Sequence, residues 1–460
     1  MTPSPRIYPL DPRQLTEEQM AVVFAMTSRR PEPFDEIARV VTAEKAADFH
    51  ERWVLNYGHA SVAEHAIIHM AVENISRLAC DTLEDNRLAS YTEKSSRYQV
   101  IEPGYYHVPQ ELDGHPMRQT YVDACDALFQ AYGRMVDGLR QHLSTVRPHE
   151  SGERDSAYNL RIRREATDSA RFLLPAATLT NVGVTMNARS LEHAITKLLS
   201  SDLAEERWLG EALKEQGRTI TPTLIKYAEP NDYLAATRDA QQEMSLPFAE
   251  PGNDSHAEAT LVHYDPDAEA KLAAALLYRY GHQPYSEIWR QVQQMSPKQR
   301  QHVVDRALEK LGPHDAPVRE LETVDYTFEL VMDYGAYREF KRHRMQTYIP
   351  QPPTVELGYV VPPLVKDAGL QDEFETAVRR AEDAFRVVQS QLPRAAEYLV
   401  THAHKRRVLA KMNLRECYHL FKLRTGPQAH FSIRPVIAAA MAAVQEVHPG
   451  LFKHLVLRDA

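Results

Sequence analysis

The sequence contains one six-residue pattern twice, as Met186-Asn187-Ala188-Arg189-Ser190-Leu191 and as Met412-Asn413-Leu414-Arg415-Glu416-Cys417. Three further pairs of similar segments occur in the same order along the chain: 23–37 with 275–288, 58–72 with 312–328, and 117–143 with 374–392. Both members of the last pair carry apolar residues at the spacing of an amphipathic helix. Four matches in one order indicate a tandem duplication.

The two copies are predicted to span residues 1–230 and 256–460, and residues 231–255 are predicted to form the linker. Residues 247–255 read Pro-Phe-Ala-Glu-Pro-Gly-Asn-Asp-Ser, which is a turn-rich composition. Within each copy, helical patterns alternate with short strand candidates such as residues 67–72. This mixture predicts an α+β fold, with a sheet packed against helices in each copy.

The composition argues against several classes of protein. The chain has 460 residues, of which 43% are hydrophobic and 25% are charged, as in an ordinary globular protein. A formal net charge of −9 argues against a general nucleic-acid-binding function, so any anion binding must be local. We find neither a signal peptide nor a run of about 18 apolar residues, so we expect a cytoplasmic protein without a membrane role.

The cysteines and histidines give no support for a disulfide framework or a metal site. The three cysteines, Cys80, Cys125 and Cys417, are too scattered for either, so we expect reduced thiols. His402 and His404 are two residues apart, and on a helix they would not share a face. We therefore predict no metal centre.

A dense group of ionisable residues lies in the second copy, in the stretch Arg338-Glu339-Phe340-Lys341-Arg342-His343-Arg344. Charges this close together cannot all be buried without counter-charges, so they face either water or an anion. Each guanidinium offers a planar fork of donors that suits phosphate oxygens, and His343 adds a donor that titrates near pH 7. The stretch is either a solvated basic turn or an anion-binding site.

A second candidate phosphate site lies in the first copy, where Ser95 and Arg97 stand in a turn-forming context. Small hydroxyl residues in such a turn offer backbone N–H groups to an anion, and the guanidinium adds a positive charge. The alternative interpretation is a solvated, serine-rich loop.

Together these segments resemble a flavin-dependent thymidylate synthase over nearly the whole of both copies. In the first copy the resemblance rests on residues 58–65 (Gly-His-x-Ser-x-x-Glu-His), 87–98 (Arg-x-x-Ser-x-x-Glu-x-Ser-x-Arg-Tyr), 171–175 (Arg-Phe-Leu-Leu-Pro) and 187–191 (Asn-Ala-Arg-Ser-Leu). In the second copy it rests on His314, Arg342-His343-Arg344, Asn413-x-Arg415 and Arg424. The Arg-His-Arg signature followed by a Ser-x-Arg turn is specific to that family.

The resemblance implies an activity and an assembly. Members of that family bind FAD and convert dUMP to dTMP, taking the carbon from methylenetetrahydrofolate and the reducing equivalents from NADPH. They are homotetramers whose active sites lie where subunits meet. A fused, duplicated chain is then expected to form a homodimer that mimics the tetramer, with a dUMP-like nucleotide as its partner.

The resemblance also implies a role for each matching residue. The residues matched to flavin binding are Arg342, His343, Arg344, Asn413, His59, Ser61, Glu93 and Asn187. The residues matched to nucleotide binding are Ser95, Arg97, Arg171 and Arg424. Arg424, with Arg342 nearby, would polarise the pyrimidine, so these two are the candidate catalytic residues. The family uses no cysteine nucleophile, and we expect Cys80 and Cys417 to be small buried residues.

The two copies depart from the family pattern in complementary ways. The first copy has Asp85-Asn86-Arg87 at the Arg-His-Arg positions and Leu198 at the position of Arg424. The second copy has Pro352-Pro353-Thr354-Val355 in place of the Ser-x-Arg turn, and its prolines lack N–H donors. Because a carboxylate beside a diphosphate is repulsive, we predict one composite site that draws on both copies.

Two further departures leave the function open. Glu339 stands where the family usually has Gln near the base, and Glu397 or Tyr398 stands where the first copy has Arg171. The leading prediction is reductive methylation of dUMP. One alternative is flavin-dependent one-carbon transfer to another pyrimidine nucleotide, and the other is a non-catalytic scaffold that binds a nucleotide or FAD.

Overall fold

The computed structural model describes residues 5–248 and 257–457, and the chain divides into two compact units. Unit 1 comprises Met1–Phe129, Ala176–Pro251 and Arg386–Leu399, and unit 2 comprises Gln130–Pro175, Gly252–Phe385 and Val400–Ala460. Each unit therefore takes most of one copy and a segment of the other. Residues 249–255 of the predicted linker lie outside the described residues, and the boundaries 1–230, 231–255 and 256–460 stay a prediction.

The described residues up to Phe248 contain three strands and nine α-helices, the last of which lies within the predicted linker. The strands are β1 (Ile67–Ser76), β2 (Ala89–Glu93) and β3 (Leu179–Asn187). The helices are α1 (Glu17–Met26), α2 (Phe34–Val40), α3 (Ala43–Phe49), α4 (Arg77–Glu84), α5 (Arg118–Val146), α6 (Asp155–Ala170), α7 (Ala188–Leu199), α8 (Ala204–Ile220) and α9 (Asp232–Ser245). A π-helical segment, His50–Asn56, continues α3, and a 3₁₀ helix, Arg171–Leu173, follows α6.

The second copy repeats this order around four strands. The strands are β4 (Ala259–Tyr264), β5 (Asp325–Asp333), β6 (Gln346–Pro350) and β7 (Lys405–Asn413). The helices are α10 (Ala268–Tyr278), α11 (Tyr285–Gln294), α12 (Pro297–Leu308), α13 (Tyr334–Phe340), α14 (Pro363–Asp367), α15 (Gln371–Gln389), α16 (Pro393–Ala396), α17 (Leu414–Arg424) and α18 (Ile433–Val447). A 3₁₀ helix, Glu397–Leu399, precedes β7.

The strands form two antiparallel sheets, one in each unit, with the orders β1-β3-β2 and β4-β5-β7-β6. Strand β1 pairs with β3 from Ile67 opposite Asn187, and β5 pairs with β7 from Asp325 opposite Asn413. The matching registers reproduce the duplication that the sequence indicates. The predicted α+β fold, with two tandem copies that each pack a sheet with helices, is confirmed.

The repeated six-residue pattern marks the same junction in both copies. Met186 and Met412 are buried near the ends of β3 and β7. The next residues, Asn187 and Asn413, cap α7 and α17, because each side-chain oxygen accepts a backbone N–H from the first turn of the helix. The pattern therefore encodes a strand, a helix cap and a helix in succession.

The amphipathic pattern over residues 117–143 forms the 29-residue helix α5. Its apolar stripe is buried and includes Tyr121, Leu128, Tyr132, Met135, Leu139 and Leu143. Burying each side chain of this size stabilises the fold by roughly 1.5–3 kcal/mol. Despite the length of α5, no helix in the described part of the chain is both long and apolar enough to cross a membrane.

His402 and His404 do not lie on a helix, so the helical spacing argument was wrong for them. Both are buried in a turn that leads into β7. The backbone N–H of Thr401 donates to His404 Nδ1 at 3.0 Å. The basic residues that follow them, Lys405 to Arg407, begin β7. Further along this strand, the alternate residues Val408 and Ala410 are fully buried, which is the two-residue period of a strand.

Gly217 of α8 should not tolerate a side chain. A methyl group there would lie 2.4 Å from Ile225 Cδ1 and 3.1 Å from Leu191 Cδ2. We expect Gly217→Ala to lower the free energy of unfolding by about 1–3 kcal/mol through overpacking, measured as the shift of the urea midpoint. Gly133→Ala in α5 is the matched control, because its methyl group would meet no atom within 4 Å. That variant should raise stability by about 0.5–1 kcal/mol, and equal losses from both would contradict the packing.

Candidate functional site

The Arg-His-Arg turn, Arg342-His343-Arg344, joins α13 to β6 in unit 2. Arg342 and Arg344 are exposed, whereas Lys341 and His343 are each 5% exposed. The turn therefore exposes Arg342 and Arg344 and buries the imidazole of His343 between them in the sequence. Exposed guanidinium groups on one turn are suited to bind an anion.

His343 is held between a carboxylate and a guanidinium. Its Nδ1 lies 3.0 Å from Glu416 Oε1, and Arg424 Nε donates to its Nε2 at 3.1 Å. Since an arginine Nε always carries a proton, Nε2 must be the acceptor, and Nδ1 carries the ring proton. Burial lowers the pKa of His343, Glu416 opposes that shift, and Arg424 adds to it. The ring is therefore neutral at pH 7.

Arg424 is the last residue of α17 and also pairs with Glu339 of α13. Arg424 Nη1 donates to Glu339 Oε2 at 2.9 Å, and Nη2 donates to the Glu339 carbonyl oxygen at 3.4 Å. The two side chains are 19% and 15% exposed. Burial lowers the pKa of Arg424, Glu339 opposes that shift, and the nearby charge of Arg342 adds to it. Glu339 thus neutralises a guanidinium that lies beside a second cation.

Arg171 belongs to a second polar cluster in unit 2, although it comes from the first copy. It is buried, and its Nε donates to Asp168 Oδ1 at 3.0 Å. Its Nη2 lies 3.1 Å from His430 Nε2, and His430 Nδ1 lies 2.9 Å from Ser432 Oγ. In the same cluster, burial raises the pKa of the Asp333 carboxyl. Unit 2 therefore contains both the Arg-His-Arg turn and the first copy's predicted nucleotide-binding arginine.

Unit 1 contains the counterpart of this cluster with its charges reversed. Glu397 is the first residue of its 3₁₀ helix, as Arg171 is the first residue of the other. Arg394 lies three residues before Glu397, just as Asp168 lies three residues before Arg171. Arg394 Nε donates to both carboxylate oxygens of Asp202 at 3.1 Å, and its Nη1 pairs with Glu397. Glu397, not the tyrosine after it, is thus the counterpart of Arg171.

The first copy fills the Arg-His-Arg positions with a turn that is satisfied internally. The exposed Asp85 pairs with Lys197 at 3.2 Å. The buried Asn86 donates from Nδ2 to the Leu83 carbonyl oxygen at 2.8 Å. A carboxylate and an amide at these positions cannot reproduce the pair of exposed guanidinium groups in the second copy.

The predicted residues Ser95, Arg97 and Glu93 follow one another at the end of β2 in unit 1. The backbone N–H of Arg97 donates to Ser95 Oγ at 3.3 Å, as in a tight turn. The Glu93 side chain is 7% exposed and accepts from Arg77 Nη1 at 3.1 Å and from Thr180 Oγ1 at 2.8 Å. Glu93 therefore hydrogen-bonds to two side chains of the protein, and the prediction that it binds flavin did not include these contacts.

Cys80 and Cys417 are buried, as expected, and burial raises the pKa of the Cys417 thiol well above its ordinary value. Neither thiol is therefore suited to act as a nucleophile at pH 7. Cys80, Glu84 and Glu93 bring ligand atoms within 4.8 Å of one another. Acidic groups this close are common without an ion, so the cluster gives no metal assignment.

His59 and Ser61 are exposed in unit 1, at a 3₁₀ helix spanning Ala60–His65. The His59 ring lies 5.3 Å from Tyr57 and 6.4 Å from Trp53, measured between ring centroids. The Arg29 guanidinium covers the Trp53 ring at 4.1 Å. Sequence reasoning missed this cluster of side chains because its members are dispersed over thirty positions and share no motif. They are Arg29, Trp53, Tyr57 and His59.

Sequence reasoning also missed the acidic and histidine partners of the arginines. Glu416 lies within the repeated pattern, but its pairing with a histidine 73 positions away leaves no trace in local spacing. His430 is 259 positions from Arg171. Asp168 is three residues before Arg171 and could have been found as a helical ion pair.

Comparison with known proteins places these residues in a family context. The profile of the family described as Thymidylate synthase complementing protein matches twice, over residues 13–223 and 260–450. A UPF0159 protein of Chlamydia muridarum is 31% identical over 424 residues, which cover 88% of this chain and 80% of the relative. A UPF0159 protein of Thermoplasma acidophilum is 29% identical over 442 residues, which cover 89% of this chain and 88% of the relative.

Shorter proteins match parts of the chain. A flavin-dependent thymidylate synthase of Clostridium tetani is 27% identical over 216 residues, which cover 46% of this chain and 83% of the relative. Among solved structures, flavin dependent thymidylate synthase ThyX from Helicobacter pylori, complexed with FAD and dUMP, has a TM-score of 0.32 and 17% identity. That match covers 44% of this chain and 100% of the other.

The buried neutral state of His343 should make stability depend on pH. Its native pKa is lowered, so below pH 6.5 the unfolded chain binds a proton that the native state does not bind. Stability should therefore fall as pH drops below 6.5, with this group adding up to about 1.4 kcal/mol per pH unit. In urea unfolding between pH 7 and 5, His343→Asn should reduce the slope of stability against pH.

The control for this prediction is His302→Asn, which removes an exposed imidazole from α12. It should leave the slope as in the wild type. If His343→Asn also leaves the slope unchanged, His343 is not buried as a neutral ring between Glu416 and Arg424.

Proposed function

Because the chain belongs to the thymidylate synthase complementing protein family, we propose that it catalyses FAD-dependent reductive methylation of dUMP to dTMP. Methylenetetrahydrofolate would supply the carbon and NADPH the reducing equivalents. One observation carries the proposal: the second copy keeps the exposed Arg342 near the partly buried Arg424, and Arg344 is exposed on the same turn. Cations in this arrangement suit a ligand that has both phosphates and a polar ring.

The residues of unit 2 fit a flavin nucleotide by their donor chemistry. Arg342 and Arg344 would hold phosphate oxygens, because exposed guanidinium forks match them in geometry and charge. When bound, the flavin supplies the hydride. Arg424 would orient the pyrimidine and stabilise negative charge on its carbonyl oxygens. His343 would serve this site from within, because both of its ring nitrogens are already hydrogen-bonded.

The remaining assignments are part of the same proposal. Arg171, Ser95 and Arg97 would bind the nucleotide. The residues that would contribute to flavin binding are His59, Ser61, Glu93, Asn187 and Asn413. Because the Asp85 carboxylate replaces a cation in the first copy, we expect one working site per chain, which draws on both copies, in a homodimer of cytoplasmic chains.

The ion pair between Glu339 and Arg424 favours a second candidate function. A carboxylate beside this guanidinium can accept a hydrogen bond from an amino group, and cytosine has an amino group where uracil has a carbonyl oxygen. The alternative is flavin-dependent one-carbon transfer to a cytosine nucleotide. In that case Arg424 would donate to the ring carbonyl and Glu339 would accept from the exocyclic amine.

A visible absorbance titration tests the leading proposal. We expect the purified protein to bind FAD at about one per chain or fewer, and dUMP to perturb the flavin spectrum. Arg344→Ala should weaken FAD binding at least about 10-fold, because a charge-assisted phosphate contact is lost. Arg87→Ala, at the matching exposed position of the first copy, should leave most of the binding.

Two results would contradict that expectation in different ways. Equal losses from Arg344→Ala and Arg87→Ala would remove the asymmetry between the copies. Protein that takes up no FAD would exclude flavin catalysis and favour a non-catalytic nucleotide-binding scaffold.

A nucleotide panel separates the two candidate functions. With methylenetetrahydrofolate and NADPH present, we expect turnover of dUMP but not of dCMP, UMP or CMP. Glu339→Gln should tighten dUMP binding by about 10-fold, because it removes a negative charge beside Arg424. Glu446→Gln, on the exposed face of α18, changes the net charge equally and should leave binding unchanged. Turnover of dCMP, abolished by Glu339→Gln, would support the cytosine alternative instead.

A further inference from the structure

The two copies differ at the third residue of the helix that follows their last strand. The second copy, which has the Arg-His-Arg turn, has Glu416 at this position. The first copy, which lacks the turn, has Ser190 at the same place in the repeated pattern. Glu416 is 5% exposed and contacts His343, whereas the first copy has Asn86 in place of that histidine. The carboxylate therefore occurs only in the copy that also has the histidine and Arg424.

We propose that Glu416 is a positioning residue, which fixes the direction of the Arg424 guanidinium by holding the ring proton of His343 on Nδ1. The inference rests on the proposed function for the use of Arg424, but the hydrogen-bonding arrangement can be measured without it. Glu416 is buried and contacts His343. It acts through the histidine alone.

A neutral imidazole carries a single ring proton. A neutral His343 has one N–H, on either Nδ1 or Nε2. If Nε2 carried it, that N–H would face the Nε–H of Arg424 across 3.1 Å, and two donors cannot hydrogen-bond each other. Arg424 would then have to turn away. An ionised carboxylate only accepts hydrogen bonds, so Glu416 selects the tautomer in which Arg424 keeps its acceptor.

The geometry of α17 makes this control specific. Glu416 is fixed in the first turn, where its backbone N–H donates to the capping Asn413 Oδ1 at 2.9 Å. Arg424 ends the same helix, eight residues and about 12 Å further along. Helical side chains lean towards the N-terminus, so Arg424 reaches back towards Glu416, and His343 bridges the gap. The carboxylate thus orients a guanidinium that it does not contact.

A purely structural role for Glu416 makes a different prediction. A carboxylate in the first turn of a helix is favourable for any helix, so Glu416→Ala could destabilise α17 without any connection to Arg424. Glu416→Gln keeps the size of the side chain and removes the obligate acceptor, since an amide can donate as well as accept. Glu416→Asp keeps the acceptor and serves as the conservative rescue.

The experiment is ¹⁵N NMR of the full-length protein at pH 7.5, labelled at histidine and arginine. Two-bond ¹H–¹⁵N spectra distinguish the two imidazole tautomers, and His343→Asn identifies the ring. In the wild type and in Glu416→Asp, we expect the Nδ1–H tautomer alone. We also expect slow exchange of the Arg424 Nε–H with solvent, a resonance that Arg424→Lys identifies. In Glu416→Gln we expect both tautomers and at least about 10-fold faster exchange of that N–H.

The first copy offers a matched control variant. Ser190→Ala, at the equivalent position of the first copy, should change neither signal. An Nε2–H tautomer in the wild type, or unchanged signals in Glu416→Gln, would overturn the proposal. In parallel, Glu416→Gln should weaken dUMP binding several-fold. If the NMR results are as expected while wild-type protein binds neither FAD nor dUMP, the positioning role stands and the proposed function fails.

Discussion

The candidate site of unit 2 depends on one constraint, which is that a partly buried arginine needs a counter-charge and hydrogen-bond acceptors. Removing a guanidinium from water costs several kcal/mol unless protein groups replace its hydration. Glu339 supplies the charge for Arg424. His343 supplies an acceptor, but only while its ring proton stays on Nδ1, where Glu416 accepts the hydrogen bond. The identities of these four residues therefore depend on one another, whereas Arg342 and Arg344 lie exposed on the neighbouring turn.

The same constraint explains how the two copies could diverge. Where one has Asp168 followed by Arg171, the other has Arg394 followed by Glu397, so the ion pair persists with its direction reversed. Changing one partner alone would leave a buried charge unpaired, which costs about 3–5 kcal/mol. Paired substitutions avoid this cost. The duplicated clusters therefore share their architecture while presenting opposite charge at corresponding positions.

Local features of the fold could be predicted from sequence, and long-range pairings could not. The amphipathic spacing of α5 and the capping positions Asn187 and Asn413 follow from period and residue type, which act over a few residues. The pairing of His343 with Glu416 depends on how β6 and α17 pack, and no local pattern records it. His402 and His404 illustrate the limit, because their spacing was interpreted as helical although they lie in a turn that leads into β7. The exchange of segments between the units was equally invisible to pattern matching.

That exchange has a consequence for synthesis on the ribosome. Unit 1 uses residues 386–399, so its last segment emerges only after most of the second copy has been translated. At about 5–20 residues per second, the nascent first copy waits on the order of ten seconds with part of its apolar surface uncovered. The first half of the gene thus encodes a polypeptide that depends on its own downstream sequence to finish folding. Chaperones that shield nascent chains have their longest opportunity to act during this interval.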